Sequence, residues 1–411
     1  MPLLLLSSFC PAVPERAADF RLPAPLEDWA VTVCRTGEAF ARDWPGAGRP
    51  DDFWLRAATL GYLTDNPQAV TTAGLVLRHP ASGRRVLLTA QYFHFSAAGQ
   101  VSDGAKGKTS GWDLRRRLLA PFSFKVVALG QFLTSGPYAA DGLSTLTTAE
   151  ATDLLPAVAR ALLRRDRACV AYLLKDLYAP DEPVVNAWRA AGHYLLPGDP
   201  VMQLDLPPDW TTPADYLEDL SSKYRVRYRR ARAKAAGLTR RSLPPAEVDA
   251  RAAELYALYA GVSATAAFNV GQLRPGYFRW LAGLRAPDGG PTVTFTGYFA
   301  GGGDLVGFTT AIDNGPVRHA HFLGLRADYK RSHHLYHNML FDLLEDAIAA
   351  RARTLDLGRT ALEIKSSVGA TARPAAVLIR ARWEWLNRLI PLFTPAVYSA
   401  PDWQPRNPFR G

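Results

Sequence analysis

The most chemically loaded stretch of the chain is GRTALEIKSS, residues 358–367. It places one carboxylate, Glu363, within four positions of two cations, Arg359 and Lys365. A carboxylate within hydrogen-bond reach of an ammonium can take its proton, directly or through one water. A neighbouring cation can stabilise a carbonyl oxygen as it becomes negative, or hold an anionic acceptor. An ordinary ion-paired surface corner is the plainer account of the same residues. If a short helix forms, Arg359 and Glu363 are one turn apart while Lys365 points elsewhere. Tyr336, at the start of an apolar-periodic segment, is a further hydroxyl donor or a core residue.

Five of the eight histidines fall between residues 319 and 337: His319, His321, His333, His334 and His337. His333 and His337 have a one-turn spacing that can ligate a metal. No HExxH accompanies them and Asp328 is the nearest carboxylate, so no metal is expected. Cleft-lining or proton-transfer roles suit imidazoles better, because their ordinary pKa lies near neutrality.

Net charge is +10, from 48 basic and 38 acidic residues. Nine of the basic residues lie in KYRVRYRRARAKAAGLTRR, residues 223–241, which holds no acid; the remainder, 39 against 38, is almost neutral. On a helix Arg225, Arg229 and Arg232 share one face, and Lys223, Arg227, Arg230 and Lys234 share another. Lys223, Arg225, Arg229 and Arg232 are the candidate anion contacts, for tRNA, a nucleotide-linked acceptor, donor phosphates or an anionic membrane surface. The alternative is a solvated helix whose arginines pair with acids elsewhere.

The elements that must position these residues read as an α/β (α+β) chain. With 411 residues it is long enough for two or three domains, and 48% hydrophobic with 21% charged is a folded composition. Residues 1–25, rich in proline, form an irregular lead-in. Strands are expected at 30–35, 72–78, 84–95, 125–133 and 169–174, with helices at 53–63, 149–165 and 184–191. After a boundary at LLPGDP near 200 the order begins again. A strand covers 201–206, and Thr212 with Pro213 opens a long helix that ends at Gly237. A second helix carries Leu255, Leu258, Tyr259 and Val262. Strands at 292–299, 305–313 and 317–325 are joined by AGGGD and DNGP turns. A helix from Leu335 to about Arg353, a strand at 355–357, a short helix within 361–369, and 375–399 complete the second domain. Val101 to Ser110 is a polar loop. Domains are therefore expected at 26–199 and 200–411.

No apolar run reaches the roughly 18–20 residues of a membrane span, and the N-terminal MPLLLLSSFCPAVP lacks the leading positive charge of a cleaved signal. Cys10, Cys34 and Cys169 are too few for a disulfide scaffold or zinc ribbon, which fits a reducing, cytoplasmic setting. No Gly-x-Ser-x-Gly, Walker sequence or paired CxxC is present.

Three segments, DYLEDLSSKYRVRYRRARAKAAGL (215–238), LGLRADYKRSHHLYHNMLFDLLEDAI (323–348) and LDLGRTALEIKSSVGA (355–370), together with the element order, carry a resemblance. The chain resembles the tandem-GNAT proteins, which include the bacterial Fem-type aminoacyltransferases. That resemblance implies two GNAT-like domains in tandem, each a mixed, mostly antiparallel twisted sheet flanked by helices. It implies direct attack of an amine on an acyl donor, either acyl-CoA or a donor carried on tRNA or a carrier protein, in a cleft of the C-terminal domain. It places acceptor-side residues at the 358–367 corner and the donor's phosphates at the turn before Leu335. That turn, YKRSHH, has no glycine, so Lys330, Arg331, Ser332, His333 and His334 become the donor-binding candidates. The N-terminal domain is expected to be degenerate. The alternative from another class is a binding module without catalysis that docks tRNA, a phosphorylated ligand or a peripheral membrane surface through 223–241.

Overall fold

A computed structural model of the chain describes residues 19–46, 52–96, 123–264, 272–285, 289–398 and 400–410. It divides into two compact units. The first holds the chain up to Pro197, apart from residues 49–53, together with Ala376–Ser399; the second holds residues 49–53, Gly198–Ala375 and Ala400–Gly411.

The first unit begins with β1 (Asp19–Arg21), β2 (Ala30–Cys34), α1 (Gly37–Asp43) and α2 (Ala57–Asp65). The hairpin β3 (Thr71–His79) and β4 (Arg84–Ser96) follows, then β5 (Ser123–Leu129) and β6 (Ala140–Asp141). Next come α3 (Thr148–Arg165), β7 (Cys169–Lys175), α4 (Pro183–Ala190) and β8 (Tyr194–Leu195). α3 starts at Thr147 because Thr147 and Glu150 cap each other reciprocally, and its Leu154, Leu155, Val158 and Leu162 are buried. β1 lies within the segment expected to be irregular: pairing with β2 gives Phe20 a buried place. The polar loop expected at 101–110 lies outside the described residues.

The second unit opens with β9 (Val201–Asp205), α5 (Pro213–Asp219) and α6 (Ser222–Lys234). Then come β10 (Thr239–Ser242), α7 (Pro245–Ala250), α8 (Ala252–Ser263) and α9 (Tyr277–Gly283). The antiparallel run β11 (Val293–Phe299), β12 (Leu305–Asn314) and β13 (Val317–Leu325) leads into α10 (Ala327–Ser332) and α11 (Leu335–Ala349). β14 (Thr354–Asp356), α12 (Leu362–Ser366) and β15 (Thr371–Arg373) end it. Its sheet runs β10-β11-β12-β13-β14-β9-β15. The single helix expected from Thr212 to Gly237 is two helices. Leu220 is extended between them and bridges Phe409, and the Ser221 amide donates to the Pro408 carbonyl, so the C-terminal tail takes the backbone groups that a continuous helix would use.

Residues 376–399, read from sequence as the close of the second domain, instead complete the first unit. β16 (Val377–Ala381) pairs antiparallel with β7 and β8, giving the order β1-β2-β3-β4-β5-β7-β16-β8 with β6 on β4, and α13 (Glu384–Val397) follows. The reason is the ladder: five β16 residues find partners on β7, whose other edge β5 already occupies.

Both sheets are mixed and mostly antiparallel, with one parallel neighbour pair each among the described residues: β5 with β7, and β13 with β14. β5 stays paired to its last residue, Leu129. β13 pairs with β14 over three residues only, Val317–His319 with Thr354–Asp356, and runs on for six more. The second sheet is therefore forked and the first is not.

Candidate active site at the fork of the second sheet

The fork has a root, two prongs and an open end. One prong is β13 beyond His319. There β13 fits two residues, His321 and Phe322, against the single Thr310 of β12, since Ala311 faces Ala320 while Thr309 faces Leu323. Such a bulge re-aims side chains. Thr310 Oγ1 donates to the Phe322 carbonyl at 2.6 Å, and His321 Nε2 lies 2.7 Å from the Tyr277 hydroxyl.

α11 covers the open end. Gly307 faces Leu325 in the ladder, and a Cβ on it would lie 2.5 Å from Met339 Cε and 3.1 Å from a Leu335 methyl. The helix can approach only because no side chain stands there. α8 packs against Gly324 in the same way, with its backbone 2.6 Å from where a Cβ would be.

The N-terminus of α11 follows from that packing. Its cap, His334, is left-handed (φ 49°) and supplies no side-chain cap bond. Histidine is among the non-glycine residues that tolerate this conformation, so the turn forms without glycine. Asn338 Nδ2 donates to the His333 and His334 carbonyls and holds the turn. First-turn amides of a 15-residue helix face an anion favourably. Lys330, Arg331 and Ser332 belong to α10; Lys330 and Arg331 are exposed, and Ser332 Oγ donates to the Asp328 carbonyl. His333 stacks on Tyr329. The pKa of His334 is held down by burial, then by the charges of Lys234 and Arg230. That of His337 is held down by burial, then by His334, Arg227 and Lys330. Cations thus converge on the first turn of α11.

Apart from Lys330 they come from the face of α6 opposite to the main sequence candidates. Arg232 is tied to Asp342 and Glu345 of α11 at 2.5 Å each, and Arg225 donates to the Leu220 carbonyl at 2.5 Å. These two act as structural counter-ions and caps. Arg229 and Lys223 are exposed, as are Arg227, Arg230 and Lys234. Tyr336, half-buried, packs against the apolar core formed by β9, β14, α5 and α11.

The root is polar, buried at His319 and Asp356, half-buried at Gln203 and exposed at Thr371. His319, Asp356, Gln203 and Thr371 follow one another across β13, β14, β9 and β15. Asp356, 2% exposed, accepts from Gln203 Nε2 at 3.0 Å and from the Gly358 amide at 2.7 Å, with His319 Nδ1 at 3.8 Å. Burial raises its pKa to about 6 against those bonds and the charges of Lys365 and Arg359. Beyond it the chain turns through left-handed Gly358, Thr360 and Ala361 into α12. Lys365, also buried, reaches back with Nζ to the carbonyls of Arg359 (2.5 Å) and Gly358 (3.3 Å). Burial lowers its pKa to about 7, with Asp356 and Asp199 opposing. Burial brings His319 and His321 each down to about 3, so both are neutral at physiological pH.

Of the corner residues named from sequence, Lys365 and Arg359 come together with Asp356. Glu363 is half-exposed and pairs with Arg406 of the C-terminal tail. Asp356, His319 and Gln203 were not singled out as a group by sequence. A carboxylate inside the short apolar segment TLDL was the available signal, because a buried charged residue is the informative exception. Among the described residues no three His, Cys, Asp or Glu side chains group as a metal site, and no helix is long and apolar enough to cross a membrane.

Residues 222–366 match the family described as "Acetyltransferase (GNAT) domain". No curated protein matches the chain. Solved structures similar to it include FemX, with 9% identity over 88% of this chain and 98% of that one (TM-score 0.47). L-PGS from Bacillus licheniformis has 12% identity over 88% and 95% (TM-score 0.43). A GCN5-related N-acetyltransferase from Sphaerobacter thermophilus has 12% over 89% and 96% (TM-score 0.39).

Proposed function

We propose that the protein, whose residues 222–366 match a GNAT acetyltransferase domain, is an N-acyltransferase of that type and moves an acyl group from a phosphate-bearing donor, laid along the free edge of β13, to an amine that meets the Asp356–Lys365 corner. The observation that carries this reading is the fork: three paired residues at the root, then six residues of β13 without a partner on that side. From His319 to Leu325 the free edge measures about 20 Å. A donor whose phosphates lie at the first turn of α11 and whose acyl carbon reaches the root needs an extended arm, and acyl-CoA has both.

In the reaction the amine nitrogen attacks the thioester carbonyl, the C–N bond forms and the C–S bond breaks. Asp356, with its pKa raised to about 6, is ionised at neutral pH and basic enough to take the ammonium proton. Lys365, poised near 7, is charged part of the time and can stabilise the oxyanion or return a proton to the departing thiolate. Glu363, engaged by Arg406, keeps the corner in place. The first unit, whose parallel pair stays zipped, serves no transfer of its own.

An aminoacyl-tRNA donor is the second reading, and the exposed cationic face of α6 favours it. Lys223 to Lys234 spans about 16 Å, enough for several phosphates. Thermal shift and product formation with acyl-CoAs, acyl carrier protein and aminoacyl-tRNA distinguish the donors, because a donor that binds only the native state raises the melting temperature. If none of the three shifts melting or is consumed in the presence of amines, the placement of the donor at the fork fails.

A further inference from the structure

The 358–367 corner keeps a costly backbone. Thr360 (φ 65°) and Ala361 (φ 50°) are both left-handed, and for a β-branched threonine that conformation is a true outlier. Such strain persists only where the surroundings over-determine it, and it gathers where pre-organisation matters. Part of the restraint is internal. Asp356 accepts from the Gly358 amide, and Lys365 Nζ donates to the Gly358 and Arg359 carbonyls. The helix that follows, α12, has five residues, and its cap, Ala361, supplies no side-chain bond. A helix of that length does not hold itself.

The rest comes from residues 400–410 of the same compact unit. This segment is tied to the break between α5 and α6: the Ser221 amide donates to the Pro408 carbonyl at 2.9 Å, and the Arg410 amide to the Asp219 carbonyl at 3.0 Å. Between those bonds the Phe409 ring sits 5.8 Å from the Trp210 ring and 6.2 Å from that of Tyr216. It also covers Gly369, just beyond α12, where a Cβ would lie 2.5 Å from Phe409 Cζ. Arg406 grips α12 on both sides of Lys365. Its amide donates to Ser366 Oγ at 3.1 Å, and its Nε donates to Glu363 Oε1 at 3.0 Å.

We propose that residues 400–410 are a strap that holds the corner in the shape from which transfer proceeds, with Phe409 and Arg406 as positioning residues for Lys365. The catalytic half of this inference rests on the placement of transfer at the Asp356–Lys365 corner. Phe409 fixes the chain after α12, Arg406 fixes α12 itself, and the left-handed turn fixes the chain before it, so Lys365 is aimed from three sides. With the strap lifted, only the turn's own bonds oppose its strain. The turn relaxes, and Nζ leaves the Gly358 and Arg359 carbonyls for water. A displacement of about 1 Å at a reacting group can cost about 10²-fold in rate. The aromatic seat of Phe409 is the greater hold, because the Arg406–Glu363 pair is partly exposed and such pairs contribute little.

The test is reductive methylation of lysines in the full chain, followed by mass spectrometry and read beside transfer kinetics and the donor's melting shift. In the wild type Lys365 should label slowly, as should Lys125 and Lys175, which are buried in the first unit. Phe409→Ala should raise labelling of Lys365 at least about tenfold and leave the other two protected. The same variant should lose at least about tenfold in kcat while the donor still raises its melting temperature. Phe409→Leu, which refills most of the seat, should recover most of that loss. Arg406→Ala should act in the same direction and more weakly, because the backbone bond to Ser366 stays. Wild-type protection of Lys365 in Phe409→Ala, equal labelling of all three lysines, loss of the donor's melting shift, or an unchanged kcat would each overturn the strap. A wild type that transfers from no donor would refute the placement of the reaction, and the labelling of Lys365 would still decide whether the strap holds the corner.

Discussion

Replacing Lys365 by methionine separates the electrostatics of the corner from its packing. In the unfolded chain this amine has its ordinary pKa of 10.5; in the fold burial brings it to about 7. Below pH 7 both states carry the proton, and the ammonium is the less comfortable one in the fold, so the wild type bears the full cost. That lowering corresponds to roughly 5 kcal/mol. Between pH 7 and 10.5 the unfolded state binds the proton and the folded state does not, so stability rises with pH by about 1.4 kcal/mol per unit. Methionine abolishes that slope. It also leaves the Gly358 and Arg359 carbonyls without their donor, at a cost of about 1–3 kcal/mol that is independent of pH. Urea unfolding of both proteins at intervals from pH 6 to 9.5 reads the difference. The wild type should gain about 3 kcal/mol on the variant between pH 7 and 9.5. Transfer by the variant should fall about 10²-fold or more while the donor still raises its melting temperature. Parallel stability curves, within about 0.5 kcal/mol, would refute a buried titrating amine.

Asp356→Asn should lower kcat/KM about 10²-fold or more and remove the limb on which wild-type activity rises with pH through about 6, whereas Glu363→Gln should stay within about twofold; a large loss in the glutamine variant alone would transfer the base to Glu363. Arg232→Gln should destabilise by about 3 kcal/mol in denaturant melts, because Asp342 loses a buried partner. By contrast, Arg227, Arg230 and Lys234 changed together to glutamine should melt normally but bind donor more weakly and with a shallower salt slope; equal destabilisation by both would end the two-face reading of α6. A donor phosphate at the first turn of α11 should draw protons onto His334 and His337, whose pKa values burial and neighbouring cations hold low, so affinity should rise as pH falls from 8 to 6. Calorimetry in buffers of different ionisation enthalpy should register proton uptake, and none would place the phosphate elsewhere.

Local signals made most elements legible in the sequence. The β11–β13 run announced itself by its Gly-rich turns, the start of α5 by Thr212 and Pro213, and the 358–367 corner by the density of charge around Glu363. What was not legible depended on partners far along the chain. Leu220 interrupts a helical pattern because Phe409 and Pro408 reach it from the tail. The wheel of α6 yields two cationic faces, and only Asp342 and Glu345 decide that the one bearing Arg232 turns inward. Asp356 is an inconspicuous residue of a three-residue strand until β9 and β13 bring Gln203 and His319 beside it.

The return of residues 376–399 to the first unit has a consequence for how the protein is made. β16 lies between β7 and β8 in the sheet, yet it follows them by about 180 residues of chain that belong to the other unit. During synthesis the first unit must wait, with the edges of β7 and β8 bare, until nearly the whole polypeptide has left the ribosome. Closing so long a loop costs little more entropy than closing a moderate one, since the cost grows only with the logarithm of length. The delay is the greater hazard, because an unpaired strand edge is a template for association with another nascent chain. A chain ending at residue 375 would leave that sheet with a missing rung and would also take from the second unit the tail whose Phe409 bridges Leu220 and whose Arg406 pairs with Glu363. Loss of activity on such a truncation would therefore report lost packing in both units and not the removal of a residue that reacts.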